Sequence, residues 1–201
     1  GGALGDGLIV DFARHNRMIW DFNKEACTVR VGAGVVLDQL NAFLNPSGFC
    51  FGPDVATSSR ATLGGMIAND SSGSHTPVYC TTGMHVSELQ VVLASGQVVN
   101  VGPGHDSLVR QRLLIEDLTS LNSLPIAERF PPGLLKRWPG YALARAAQEP
   151  KNLLRILSGS EGTLAAIVSA ELKIVPLPEE RGVGLLFFAS VAEAMQATEA
   201  L

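Results

Sequence analysis

Cysteine is scarce in this sequence: Cys27, Cys50 and Cys80 are scattered through 201 residues without CxxC spacing. An odd, sparse set of that kind excludes a disulfide framework and predicts unbridged thiols in a reducing compartment. Metal-binding motifs are lacking as well, because His15, His75, His85 and His105 offer no i, i+4 pair. Positive charge is not in excess. The net charge of −4 gives none of the basic footprint that nucleic acid demands, so no nucleic-acid partner is expected. No apolar run approaches the roughly 18 residues of a membrane-crossing helix. The opening GGALGDG has neither a basic nor an apolar stretch, so no signal peptide is expected there. It also starts without Met, which leads us to expect a piece of a longer protein. Internal repeats and low-complexity tracts are absent.

What is present is a core. The apolar fraction of 46% suffices for one domain, or for one domain and part of a second. Residues 8–11 (LIVD) read as a short strand. Residues 18–22 and 28–31 read as two more, joined into a hairpin by Asn23-Lys24-Glu25. Gly32-Ala33-Gly34 breaks the pattern. Residues 35–44 then show helical spacing, which Pro46, Ser47 and Gly48 stop. Residues 86–94, a Ser95-Gly96 turn and residues 97–101 form a second hairpin. Residues 106–121 make an amphipathic helix, 122–138 a helix start followed by irregular connection, and 141–148 a short helix. Residues 164–175 read as one long strand. Its second half alternates, with Ala170, Leu172 and Ile174 on one face and Glu171 and Lys173 on the other. Residues 182–188 form a fresh strand, and the capping box at Ser190 and Glu193 opens a last helix. That pair has no strand after it and reads as the start of a second domain.

Residues 51–85 are different: rich in Gly, Ser, Thr and Asn, and poor in large apolar side chains. Such a stretch builds no core. A long polar loop inside a compact domain is usually functional. Thr62-Leu63-Gly64-Gly65 reads as a tight turn opening a short helix over 66–69, and residues 69–74 as a second turn. Residues 158–163, Ser-Gly-Ser-Glu-Gly-Thr, form a third. Glycine lets backbone approach a ligand, and N–H groups at turns and helix starts attract anions. A backbone cradle for a phosphate-bearing ligand is therefore expected; the alternative is a mobile surface loop. Gly32 and Gly34 imitate a dinucleotide fingerprint, but Leu37 stands where its third glycine belongs. A turn leading into a packing helix is favoured over a Rossmann turn, which would require a parallel sheet.

Three blocks, in this order and spacing, carry a resemblance: PDVATSSRATLGGMIANDSSGS, HVSELQVVLASGQVV and LSGSEGTLAAIVSAELKIVPLP. Together they resemble the flavin domain of the vanillyl-alcohol oxidase/PCMH-type FAD oxidoreductases. The branch they are most similar to is the glycolate oxidase D-subunit and D-lactate dehydrogenase group. Residues 131–141 are similar to the RR-x-x-GYNL segment of that branch, and the resemblance spans about residues 1–178. It implies an α+β fold with a mixed or antiparallel sheet and flanking helices, the second lobe of an FAD-binding domain. By match, Thr62, Gly64 and Gly65 lie against the FAD pyrophosphate, and Asn69, Ser72, Gly73 and Ser74 continue along the cofactor. Pro53, Asp54 and Ser58 belong to the same cleft. Gly159, Ser160, Glu161, Gly162 and Thr163 form the family's GSEGT turn, and Ile167 lies by the adenine end.

The resemblance further implies an FAD-binding domain over 1–180 and the start of a C-terminal substrate domain over 181–201. A second phosphate-gripping loop, PRGxGT, would precede Gly1. Catalytic histidines and a substrate arginine would follow Leu201, so no catalytic residue is carried onto this chain. The implied reaction is oxidation of a D-2-hydroxy acid of the glycolate, D-lactate or D-2-hydroxyglutarate type. Electrons would pass to an acceptor, with a fused or separate iron–sulfur domain as one candidate. The implied location is cytoplasmic or peripheral to the inner membrane. Two departures stand out: Cys80 replaces a usual glycine and Gly83 a usual acidic residue. His75 reads as a satisfied loop residue rather than a flavin contact, Cys80 as a small apolar filler, Glu161 as a turn-orienting group and Trp138 as packing. Arg137 and Tyr141 face either substrate or solvent. The rival reading is a non-catalytic FAD-binding or assembly module of a multi-subunit oxidase.

Overall fold

The computed structural model describes residues 9–105, 107–121, 140–180 and 182–198. Strand β1 (Ile19–Asn23) pairs antiparallel with β2 (Thr28–Gly32). The turn works as the side chains suggest, with Asn23 Oδ1 accepting the Ala26 N–H at 2.9 Å. Helix α1 (Leu37–Leu44) follows, burying Leu37, Leu40 and Leu44 along one stripe. A 3-10 turn through Pro46 and a left-handed Gly48 (φ 80°) end it and lead into the short β3 (Phe49–Cys50). Helix α2 (Leu63–Asn69) starts three residues earlier than expected, so Gly64 and Gly65 sit inside its first turn, capped by Thr62. Helix α3 (Thr76–Tyr79) precedes the hairpin of β4 (Val86–Leu93) and β5 (Val98–Val101). Then come α4 (Val109–Leu121), α5 (Leu143–Gln148), α6 (Leu154–Leu157), β6 (Ala165–Lys173), β7 (Val175–Pro176) and α7 (Val191–Thr198).

The main sheet has the order β1-β2-β6-β4-β5, and every pairing is antiparallel. That removes the parallel sheet a Rossmann domain requires. The two hairpins share no backbone ladder; β6 lies between them. Its register against β4 slips where Gln90 faces Ser169 but Val91 faces Ile167, leaving Val168 as an extra residue. The bulge switches side-chain parity. Ala165 and Ile167 are buried before it, Ala170 and Leu172 after it. This is why the sequence alternates cleanly only in the second half. The Val168 carbonyl, freed from the ladder, accepts Asn16 Nδ2 at 2.6 Å and the Ala33 N–H at 2.9 Å.

Helices α1 and α2 contribute to the core over one sheet face, where Leu40, Leu44, Leu63 and Ile67 join Val29, Val31, Leu89 and Leu172. On β2, Arg30 alternates with these inward valines, and its guanidinium bridges strands. It bonds both oxygens of Glu88, at 3.1 and 3.0 Å, and Glu171 at 3.2 Å.

Two expected strands do not form. Residues 9–11 are coil and 12–15 a turn, stabilised by the Ala13 N–H on Asp11 Oδ1 at 2.8 Å. A short apolar run does not fix a strand when an acidic side chain offers the backbone a turn. Residues 182–188 are also coil, with Val183, Leu185 and Phe187 at 102%, 77% and 86% exposure. Among the described residues no sheet edge pairs with them. The expectations for 122–138, including Arg137 and Trp138, lie outside the described residues.

Candidate functional site

Most of the expected site residues fall into two clusters. The first lines an open cleft of about 490 Å³. Thr62, Gly64, Gly65, Glu161, Gly162 and Ile167 all face it, joined by Ala33, Ala68, Ala165, Ala166 and residues 10–13. Sequence reading missed residues 10–13, of which 10 and 11 belong to the strand expected over 8–11; they line the cleft instead. They fit there because Gly32 and Gly34 lack side chains. A Cβ on Gly34 would lie 1.9 Å from the Phe12 carbonyl oxygen, and one on Gly32 2.3 Å from Asn16 Oδ1. The Gly-Ala-Gly sequence is thus a packing device.

The donors of the Thr62 turn are partly committed. The Leu63 and Gly64 N–H groups donate to Val35 and Ala33 carbonyls at 2.8 Å, and the Gly65 N–H reaches Thr62 Oγ1 only at 3.4 Å. The two neighbouring glycines therefore differ. A Cβ on Gly64 would lie 2.6 Å from the Ala33 Cβ, a packing demand. Gly65 is exposed, and a Cβ there would crowd only Thr62 Oγ1, at 3.1 Å. In the same cleft, Gly162 adopts φ 75° with nothing within 4 Å of its missing Cβ. Bare backbone thus lines the cleft at both Gly65 and Gly162.

The third glycine turn is docked on the end of α2. The Gly159 and Glu161 N–H groups donate to the Ile67 and Ala68 carbonyls, both at 2.9 Å, satisfying acceptors that a helix terminus leaves over. Asn69 Nδ2 donates to Glu161 Oε1 at 2.5 Å. Ser160 is buried, and Thr163 Oγ1 bonds the Ser160 carbonyl at 2.6 Å and the Tyr141 hydroxyl at 2.7 Å.

The second cluster centres on Asp54, beside the buried Pro53. Its Oδ2 accepts Ser74 Oγ and contacts His75 Nδ1, both at 2.8 Å, and its Oδ1 accepts the His75 N–H at 3.1 Å. Gly73 packs so closely that a Cβ would overlap the Asp54 carbonyl oxygen, at 1.4 Å. Burial alone would raise the Asp54 pKa; the His75 and Ser74 hydrogen bonds outweigh it and hold the carboxyl below its ordinary value. His75 is thus partnered, as expected. Ser72 is half-buried in the same loop. Ser58 lies in neither cluster; its carbonyl accepts the Asp38 N–H at 3.2 Å near the start of α1.

Arg145, unnoticed in an alanine-rich stretch, ties this loop down. It bonds Asp70 Oδ2 and Thr81 Oγ1 at 2.9 Å, while Asp70 Oδ1 accepts the Gly83 N–H at 2.7 Å. A Cβ on Gly83 would press on Ser158 and Asp70, which explains the glycine there.

Bare glycine backbone, a Thr-capped turn and an apolar wall facing one cleft suit a nucleotide-bearing cofactor, and the comparisons agree. The chain belongs to the FAD binding domain family, which matches residues 1–102. It is similar, over 91% of its length at 42% identity, to D-2-hydroxyglutarate dehydrogenase of Pantoea ananatis, and covers 19% of that protein. The same enzyme of Escherichia coli is 38% identical over 90% of the chain, which covers 19% of it. Glycolate oxidase subunit GlcD of Bacillus subtilis is 28% identical over 94% of the chain, which covers 32% of it. The chain therefore spans about a fifth of the length of the dehydrogenases. A solved structure of alkyldihydroxyacetonephosphate synthase superposes with a TM-score of 0.55 over 84% of this chain and 23% of that one. At 21% identity that likeness shows the fold. No helix among the described residues is long and apolar enough to cross a membrane.

Proposed function

We propose that this chain supplies FAD-binding surface to a flavin-dependent dehydrogenase of D-2-hydroxy acids, with D-2-hydroxyglutarate the favoured substrate. The observation that carries the reading is the 42% identity to D-2-hydroxyglutarate dehydrogenase along 91% of the chain. Thr62, Gly64 and Gly65 would hold the pyrophosphate region on one side of the cleft. Glu161, Gly162 and Ile167 would face the adenosine half, backed by Asn69, Gly159 and Thr163. Pro53, Asp54, Ser72, Gly73 and Ser74 would lie further along the cofactor. Bound FAD would supply the hydride acceptor; this chain's residues bind and orient it. Residues 1–180 would be the FAD-binding domain and 181–201 the start of a substrate domain, in keeping with the exposed apolar side chains of 183–188. The electron acceptor would be a separate or fused redox partner, an iron–sulfur domain among the candidates, with the protein cytoplasmic or peripheral to the inner membrane.

The test has two stages. Titrating FAD into the purified chain, read by quenching of flavin fluorescence, should give saturable binding. The complete protein, mixed anaerobically with D-2-hydroxyglutarate, D-lactate or glycolate, should bleach its flavin fastest with the first. Saturable binding without bleaching by any of the three would sink the substrate assignment; a complete protein without flavin would sink the whole reading.

A further inference from the structure

Resting on the FAD reading above, we infer that Glu161 is the group that recognises the ribose hydroxyls of the cofactor's adenosine half. Among the described residues, the charged side chains lining the cleft are Asp11 and Glu161, both acidic. That is the wrong sign for a diphosphate, so the carboxylate must face another part of the ligand. An ionised carboxylate only accepts hydrogen bonds and therefore selects hydroxyl or amino donors. Glu161 is contiguous with the apolar wall of Ala165, Ala166 and Ile167, which suits a purine. The ribose, between purine and diphosphate, brings its hydroxyls beside that wall; the hydroxyls of the flavin's ribityl chain lie beyond the diphosphate. A carboxylate on a cofactor ribose is the solution dinucleotide folds use elsewhere.

Two independent observations say that this side chain is kept for a purpose. Glu161 adopts φ 51°, a left-handed conformation that glycine would adopt without strain. Its side chain is exposed and fills no core position. Yet it is not left loose: Asn69 Nδ2 grips Oε1 at 2.5 Å, and no bond to Oε2 forms among the described residues. The carboxylate of this cleft-lining residue is thus anchored through one oxygen and keeps the other for a ligand donor.

The test is a double-mutant cycle between protein and ligand. FAD and an analogue with a 2′,3′-dideoxyadenosine half are titrated into the wild-type chain and Glu161→Gly. Glycine suits φ 51°, so this variant should keep or raise the thermal midpoint. Glu161→Gln, which keeps an acceptor for Asn69, is the second variant. The wild type should bind FAD about tenfold or more tightly than the analogue, the usual weight of a hydrogen bond to a charged group. Glu161→Gly should bind both alike, and Glu161→Gln should fall between. An unchanged analogue penalty in Glu161→Gly overturns the assignment, as does a wild type indifferent to the hydroxyls; both leave FAD binding standing. A Mg²⁺ requirement for FAD binding that vanishes in Glu161→Gly would overturn it too, making the carboxylate a cation ligand. A wild-type chain that binds neither FAD nor ADP removes the cleft reading and the Glu161 assignment with it.

Discussion

Cys80 sits at φ 58°, ψ −148°, a region that residues with a Cβ almost never enter. The strain has an evident source, since the resembling family carries glycine at this place. Cys80→Gly should relieve roughly 2 kcal/mol of strain. About 1 kcal/mol returns as the extra entropy of an unfolded glycine. A net gain near 1 kcal/mol is expected as a higher urea midpoint at unchanged m-value; a lower midpoint would contradict the strain. The adjacent Gly64 and Gly65 separate two roles that look identical in sequence. Gly64→Ala drives a Cβ into Ala33 and should cost about 1–3 kcal/mol of stability, measured by urea unfolding. Gly65→Ala should shift stability by less than about 1 kcal/mol, because alanine is the better helix former and the crowded atom belongs to a side chain. It should nevertheless weaken FAD binding, because the new methyl projects where backbone is now bare. If both variants lose stability alike, Gly65 is structural and the cleft loses its open side.

Among the elements, the charge ladder across β2, β6 and β4 makes stability depend on pH. Burial pushes the Glu88 carboxyl up, but hydrogen bonds and charge from Arg30 and His105 prevail and hold it below its usual value. A depressed folded-state pKa contributes stability that is complete above the unfolded value and is lost as pH falls through the folded one. The loss should therefore begin near the ordinary carboxylate range, roughly pH 4.5, and deepen below it. Glu88→Gln should cost about 1 kcal/mol at neutral pH, a figure reduced for the partial exposure of Arg30. The difference from wild type should narrow in acid; a constant gap from pH 7 to pH 3, followed by thermal unfolding, would contradict the ladder. At this scale the sequence was a good guide wherever its signals were local. Both hairpins, α1 and the alternating half of β6 follow from turn residues and periodicity. The strands expected at 8–11 and 182–188 failed because a strand needs a neighbour, which an apolar tetrapeptide or heptapeptide does not specify. The site was legible in part for the same reason. Glycine turns announce themselves, but residues 10–13 and Arg145 enter the site region only through contacts distant in sequence.

For the whole molecule, the family match ends at Gly102, yet the sheet is not complete without Ala165–Lys173. Strand β6 pairs with β2 over Thr28–Gly32 and with β4 over Val86–Leu93, so in the described sheet it is the one strand whose backbone ladder joins the two hairpins. A chain shortened to residues 1–160 should therefore not fold cooperatively. One shortened to residues 1–180 should unfold within about 0.5 kcal/mol of the parent, because the described residues beyond 180 are almost all exposed. Equal stability of the two shortened chains, by urea unfolding, would deny β6 its role. Leu172→Ala, at a fully buried site on that strand, should cost about 2–5 kcal/mol.

The lateness of β6 also has a consequence for biosynthesis. The ribosome releases both hairpins well before the strand that must lie between them. During that interval β2 and β4 each expose an unpaired inner edge, the kind of template that recruits other chains. Closing the sheet then spans loops of about 70 and 140 residues, an entropic delay that slows folding. The nascent chain should thus pass through a sticky phase whose length is set by translation of residues 102–173, and slower synthesis of that stretch should raise its dependence on chaperones.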